Sequence, residues 1–319
     1  MRVLVATNHL EGIGGTEVYT YSLINELLRR GFDVEYFAFR KGTTSERIEK
    51  MGAKFYSGKK SYDLILGNHN PVIRFLWKRG FIIQTIHGLF HDLEKPSEYA
   101  DCYVSVSEEI HDQLLTKNIA SKIILNGIDC NRFKPQKPIN EIIKNVLSLS
   151  HSNEANETIK IACDNLGITF HSINKYNVGE GVWNIENVIN DFDLVFGLGR
   201  SAYDAMACGR PVIVFDKRFY SKNYADGYLP EVLFNSIKCN CSGRFYKYSY
   251  GVEDIKNEIL KYNYADGIIM RKFALENLNI KTQVDNYLDY AIICQNRKFL
   301  KKPLKYFVEK IANRLFNLS

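Results

Sequence analysis

Short apolar runs alternate along most of the chain with stretches whose apolar residues recur every three or four positions. RVLVAT, at the start, reads as a strand. The stretch that follows, GGTEVYTYSLINELLRRG, places Val18, Leu23, Ile24 and Leu27 on one helical face, with Gly31 as its stop. DVEYFAF, AKFYS, DLILGN, FIIQTIHG, CYVSVS and KIILNG continue the strand series, with a polar helix near 44–51. Strands that alternate with helices predict a parallel sheet, and several of these runs are too apolar to face water on either side. Residues 129–144, with two prolines and mixed polarity, read as a hinge. A second series follows: NVLSLS, a helix at 153–166, ITFHSI, LVFGLG, the helix SAYDAMA and PVIVFD. The pattern predicts an α/β chain of two similar folds in tandem, with a ligand cleft between them. The expected divisions are 1–135, 136–285 and a helical tail over 286–319.

Size agrees with two domains, since 319 residues are long for one. No run approaches the roughly 18 consecutive apolar residues of a membrane span. The first residues, MRVLVATNHLEGIGG, hold an apolar run too short for a signal peptide and read as a first strand. Seven scattered cysteines, close together only at Cys239 and Cys241, supply neither a disulfide framework nor a zinc site and point to a reduced, cytoplasmic setting. Charge changes the picture more. Residues 297–319 carry seven basic side chains against Glu309 alone, so the whole formal surplus of +6 resides there and the rest of the chain is neutral. A neutral body argues against nucleic acid as partner; the basic tail points to an anionic surface. In that tail Leu304, Phe307, Val308, Ile311, Leu315 and Leu318 share a helical face, which suits either a membrane surface or packing against the body.

The candidate chemistry gathers at three glycine or histidine turns. FGLGRSAYDAMACGRPVIVFD places Gly197-x-Gly199-x-x-Ala202 after an apolar strand, with Ser201 in the same turn and Asp216 closing the next strand. Spacing alone fits a dinucleotide fingerprint, and equally a turn that grips a diphosphate. The helix is short for a dinucleotide unit, because Cys208-Gly209-Arg210-Pro211 stops it after about two turns. In both readings a helix N-terminus with Arg200 beside it favours negative charge, and Asp204 one turn on suits a ribose hydroxyl pair. EGIGGTE offers a second such N-terminus at Gly14, Gly15 and Thr16, with Thr16 as the helix cap in the alternative reading. TIHGLFHD puts His87, and less directly His91, beyond a strand's C-terminal end, where ligands of open α/β sheets gather, although a lone histidine there fits a satisfied structural role equally well. Asp191-x-Asp193 matches a divalent-metal pattern, but precedes its strand and reads better as a capped turn. No other residues have metal-ligand spacing, so neither metal nor cofactor is expected.

Taken together these residues resemble the GT-B glycosyltransferases, specifically the retaining enzymes of family 4. GGTE with LINELLRRGFDVEYF is similar to that family's glycine turn and first helix; NGIDCNRFKP to its interdomain signature; DAMACGRPVIVFD to its nucleotide-binding helix; and DGYL with CNCSGRFY to a sub-group. The resemblance covers about residues 1–250. It implies two Rossmann-like domains facing a cleft, and transfer of a sugar from a nucleotide-diphosphate donor to a glycan or lipid-linked acceptor. It further implies that Gly14 and Gly15 approach the diphosphate, that His87 touches the transferred sugar and that Asp204 holds the ribose. Two departures stand out. Phe196 occupies the place of the first Glu of the family's pair, and the usual Arg and Lys are absent from LSLSHSNEAN. Arg200, helped by Arg244, is expected to supply the missing charge. The alternatives are a sugar-nucleotide-binding protein without turnover and, more distantly, an NAD-dependent oxidoreductase. The expected setting is the cytoplasm, at the inner face of the membrane.

Overall fold

The computed structural model describes residues 1–296 apart from 59–60, 89, 174–180 and 219–221. The first lobe is built on seven parallel strands: β1 (Arg2–Leu10), β2 (Asp33–Lys41), β3 (Lys54–Phe55), β4 (Tyr62–Gly67), β5 (Gly80–Ile86), β6 (Cys102–Ser105) and β7 (Ser121–Ile123). Their order is β3-β2-β1-β4-β5-β6-β7. Val3, Leu4 and Val5 of the central strand are all buried, so both faces are covered, as parallel sheets require. Helices α1 (Gly15–Arg29) and α2 (Thr43–Lys50) cover one face, and α3 (Asn70–Leu76) the other. Helix α4 (Glu108–Leu115) packs beside β6 and β7.

On α1, Leu23, Ile24 and Leu27 enter the core as their spacing predicts. Val18 does not: it lines the gap between the lobes, and Tyr19 takes the core position. A buried tyrosine needs a partner for its hydroxyl. Tyr19 finds one in the Tyr287 hydroxyl at 2.9 Å, which also meets Thr85 Oγ1 at 2.9 Å.

The second lobe has five strands, β8 (Asn145–Ser148), β9 (Thr169–Ser172), β10 (Leu194–Phe196), β11 (Val212–Asp216) and β12 (Tyr224–Tyr228). The order is β12-β11-β10-β8-β9, and all pairs are parallel except β11 with β12. The sequence pattern misses β12 because Asp226 interrupts it; that carboxylate is buried and accepts from Ser236 Oγ at 2.6 Å and Tyr246 N at 2.9 Å. Helices α5 (Asn153–Leu166), α6 (Ile185–Ile189), α7 (Arg200–Ala207), α8 (Leu229–Ser236), α9 (Val252–Leu260) and α10 (Asp266–Phe273) wrap this sheet.

The acids of the metal-like pattern hold the linker in place. Asp193 accepts backbone N–H bonds from Asn140, Lys144 and Asn145 at 2.9–3.2 Å, and Asp191 pairs with Lys137. Among the described residues, no three His, Cys, Asp or Glu side chains are grouped to hold a metal ion. The chain crosses between lobes twice. At the second crossing Ile280 N donates to Ile128 O at 2.9 Å, and Ile128 N to Leu278 O at 2.7 Å. Helix α11 (Ile280–Asn296) then returns to the first lobe and buries Val284, Tyr287, Ala291 and Cys294 in its core. The expected division at 285/286 therefore falls inside a continuous helix. Residues 297–319, the basic tail, lie outside the described residues. No described helix is long and apolar enough to cross a membrane.

Candidate functional site

A cavity of about 360 Å³ opens between the lobes, and two helix N-termini border it. From the first lobe come Gly14 and Gly15 at the start of α1. Gly14, with φ −132° and ψ 178°, is the residue that caps this helix, in place of the Thr16 considered from the sequence. Thr16 already lies in the first turn, where its carbonyl accepts from Thr20 Oγ1 at 2.8 Å. A Cβ added to Gly15 would meet nothing within 4 Å, so this backbone faces open space. A ligand can approach it closely.

From the second lobe, α7 presents Arg200, Ser201 and Asp204. Its entry depends on two glycines. Gly197 carries the chain past the helix so tightly that a Cβ would lie 3.0 Å from Ala202 N. Gly199 has φ +52° and ψ −119°, a conformation reserved for glycine. Ala202 faces inward and is fully buried, so it supports the turn without lining the cavity.

The Arg200 guanidinium is nine-tenths buried, yet poorly paired. Nη1 donates to Gly127 O at 3.2 Å, and Nε stands 3.6 Å from Asp204 Oδ1. Among the described residues, Arg200 Nε and Nη2 and Asp204 Oδ1 have no hydrogen-bond partner. Unsatisfied buried groups of this kind are rare and costly unless they have a use. Burial lowers the pKa of Arg200 from its usual value. Burial likewise pushes the Asp204 carboxyl up to about 6, against the downward pull of Arg200 and Arg132. This wall of the cleft is electrostatically unsatisfied and suited to an anion that also offers hydroxyl donors.

The other expected residues sit elsewhere. His87 lies at the end of β5, behind the cavity: its Nε2 meets Asn68 Oδ1 at 3.1 Å, its N–H donates to Glu94 at 2.8 Å, and Tyr19 packs edge-on at 5.0 Å. Burial lowers its pKa, which favours the neutral imidazole. His91 caps the short turn Asp92–Glu94. Arg244 is taken up by Glu109 of α4 through a fork with Nη2–Oε2 at 2.6 Å and Nε–Oε1 at 2.9 Å. It joins the lobes outside the cavity. Phe196, the last residue of β10, is fully buried.

Sequence reasoning missed Arg132 and Trp183, both of which line the cavity. Glu186 of α6 holds Arg132 with Nε–Oε1 at 3.0 Å and Nη2–Oε2 at 2.9 Å. The Trp183 ring lies between two guanidinium groups from opposite lobes, Arg132 at 4.9 Å and Arg47 of α2 at 4.2 Å, with Tyr21 edge-on at 4.7 Å. Arg132 stood within the interdomain signature NGIDCNRFKP, a signal that was available; Trp183 sits in a stretch without periodicity.

Solved structures with this arrangement settle the fold. The crystal structure of Anabaena HepE in complex with UDP and glucose matches 91% of this chain and 99% of its own, at TM-score 0.62 and 12% identity. A glycosyltransferase from Rickettsia africae matches 93% and 99%, at TM-score 0.60 and 13% identity. The chain has the GT-B fold. The glycotransferase of kitacinnamycin aligns over 90% of the chain and 98% of its own, at TM-score 0.52 and 10% identity. No family model and no curated protein matches the sequence. In GT-B terms α7 is the helix at the C-terminal edge of the second sheet, facing the glycine turn of the first lobe across the cleft.

Proposed function

We propose that the chain is a glycosyltransferase of the family 4 type, moving a hexosyl group from a nucleotide-diphosphate sugar to a glycan or lipid-linked acceptor with retention at the anomeric carbon. The observation that carries this reading is the Arg200–Asp204 pair, buried and incompletely bonded between two facing helix N-termini. HepE, of the same fold, binds UDP and glucose. Cell-surface polysaccharide or glycolipid synthesis at the cytoplasmic face of the membrane is the setting proposed, with residues 297–319 drawn to anionic lipid.

In this reading the diphosphate lies against Gly14, Gly15 and the Arg200 nitrogens that lack partners among the described residues, and the ribose hydroxyls donate to Asp204. The bond from the anomeric carbon to the phosphate oxygen breaks, and its electron pair stays on the diphosphate. The acceptor oxygen bonds to the anomeric carbon on the same face, and its proton passes to the departing phosphate. Arg200 and the exposed amides stabilise the growing charge, so the step needs no metal. Arg132 replaces Arg244 as the second cation, since Arg132 lines the cavity, although Glu186 holds it, whereas Arg244 lies outside the cavity on Glu109.

The test is a titration of UDP, GDP, CMP and NAD into the protein and into Arg200→Ala. A charge-assisted contact is worth about 1.5–3 kcal/mol, so the variant should bind its nucleotide diphosphate roughly ten- to a hundredfold more weakly. Unchanged affinity would remove the diphosphate from this wall. Phe196 favours a second reading, nucleotide binding without turnover, because a fully buried phenylalanine replaces a polar group of the family pattern. Nucleotide release on adding acceptors distinguishes the two.

A further inference from the structure

The first lobe carries an aromatic surface away from the cavity. Phe39, Phe55 and Phe75 are 47%, 39% and 52% exposed, far from the usual state of large apolar rings. They surround the buried Phe37, whose ring lies 4.9 Å from Phe75, 5.0 Å from Phe39 and 6.0 Å from Phe55. Tyr56 completes the group at 5.5 Å from Phe37. The cause is a missing cover. Helices α1, α2 and α11 lie on the opposite face of this sheet. On this face α3 packs over β1 and β5 and ends at Leu76, so the outer strand β2 has only Phe39, Phe75 and Tyr56 around Phe37. Phe55 of the edge strand β3 lies in register with Tyr36 and packs on it at 5.3 Å, at the margin with the opposite face.

Cations rim the rings. The Arg79 guanidinium stands 6.0 Å from Tyr56 and Lys78 Nζ 4.4 Å over Trp77, while Lys41 Nζ lies 4.8 Å over Phe55 and 6.0 Å over Tyr36, at the margin with the opposite face. Arg40, Lys54 and Arg74 are exposed alongside. Arg40 and Lys41 pair with Glu11 and Glu49. Among the described residues, Lys54, Arg74, Lys78 and Arg79 have no carboxylate at ion-pair distance.

We propose that this face docks on an anionic lipid bilayer. Phenylalanine brings apolar area without hydrogen-bonding groups, which suits the acyl boundary better than a sugar, and the cations stand where lipid headgroups would lie. The basic tail is not its occupant, because both carry positive charge. The patch also adjoins the turn that forms the cleft wall, since Arg40 Nε contacts Glu11 Oε2 at 3.2 Å. Docking sets the cleft beside the bilayer, which rests on the proposed function only in implying a lipid-borne acceptor.

The experiment is co-sedimentation of the full chain with phosphatidylglycerol-containing and pure phosphatidylcholine vesicles, at low and high salt. Phe39→Ser/Phe75→Ser and Arg74→Glu/Lys78→Glu are each expected to weaken binding to the anionic vesicles about tenfold or more, with melting temperature and nucleotide affinity unchanged. The two variants alter exposed side chains by different chemistry, so misfolding of one leaves the other decisive. Parent binding that is absent, or equal on both vesicle types, overturns the proposal. So do variants that bind like the parent, which would assign the face to a protein or the membrane to the tail alone. Nucleotide binding is read separately, so a failed donor reading is not mistaken for a failed surface.

Discussion

At Asp204 the folded protein holds a proton more tightly than the unfolded chain does, because burial raises the carboxyl from its ordinary 3.8 to about 6. The stability tied to this group is therefore fully present below about pH 4 and is lost as pH rises through about 6. Above that, keeping the carboxylate buried costs on the order of 3 kcal/mol. Asp204→Asn should accordingly raise the melting temperature by several degrees at pH 7.5, and by little near pH 4. The same change should weaken donor binding about tenfold, since the amide is a poorer acceptor. In the parent, donor affinity should fall as pH drops below about 6. Paired melting and calorimetric titrations at several pH values check all three, and a variant less stable than the parent at pH 7.5 would contradict the account. Arg200, lowered by the same burial, opposes Asp204 across 3.6 Å, and among the described residues neither is fully bonded.

Elements explain why those two residues meet. Helix α7 spans Arg200–Ala207 and is entered through Gly199, whose φ of +52° combined with ψ of −119° is open only to glycine. Gly199→Ala should cost about 1–3 kcal/mol by chemical denaturation and weaken nucleotide binding as the turn shifts. Gly15→Ala makes the informative contrast. Its methyl enters open space at the cleft, so stability should hold while affinity falls. Equal stability loss in both would mean that the two turns do not differ as described. These turns were legible in the sequence because glycine and apolar periodicity are local signals, and the same is true of β1 to β11. Beyond that range the sequence is silent. Arg244 and Glu109 are 135 residues apart, and nothing local distinguishes a committed arginine from an available one. His87 looked equally free beside its strand, yet its ring and backbone are bonded to Asn68 and Glu94. β12 escaped because its buried Asp226 breaks the apolar run, and Trp183 because no period surrounds it.

The whole molecule is held closed at two places outside the cavity floor. On one side the Arg244–Glu109 fork joins the lobes; on the other, Trp183 lies between Arg132 and Arg47. Glu109→Gln keeps an acceptor but removes the charge, and leaves a largely buried guanidinium unneutralised. Its unliganded radius of gyration, measured by small-angle scattering, should increase, and nucleotide should restore the parent value. An unchanged radius and unchanged affinity would show that the fork does not govern closure. Helix α11 has a separate consequence, in time instead of space. The seven strands of the first lobe leave the ribosome early, but Val284, Tyr287, Ala291 and Cys294, which roof them, are made about 160 residues after β7. The first lobe must wait, its apolar flank exposed, until α11 has been made before it can finish folding.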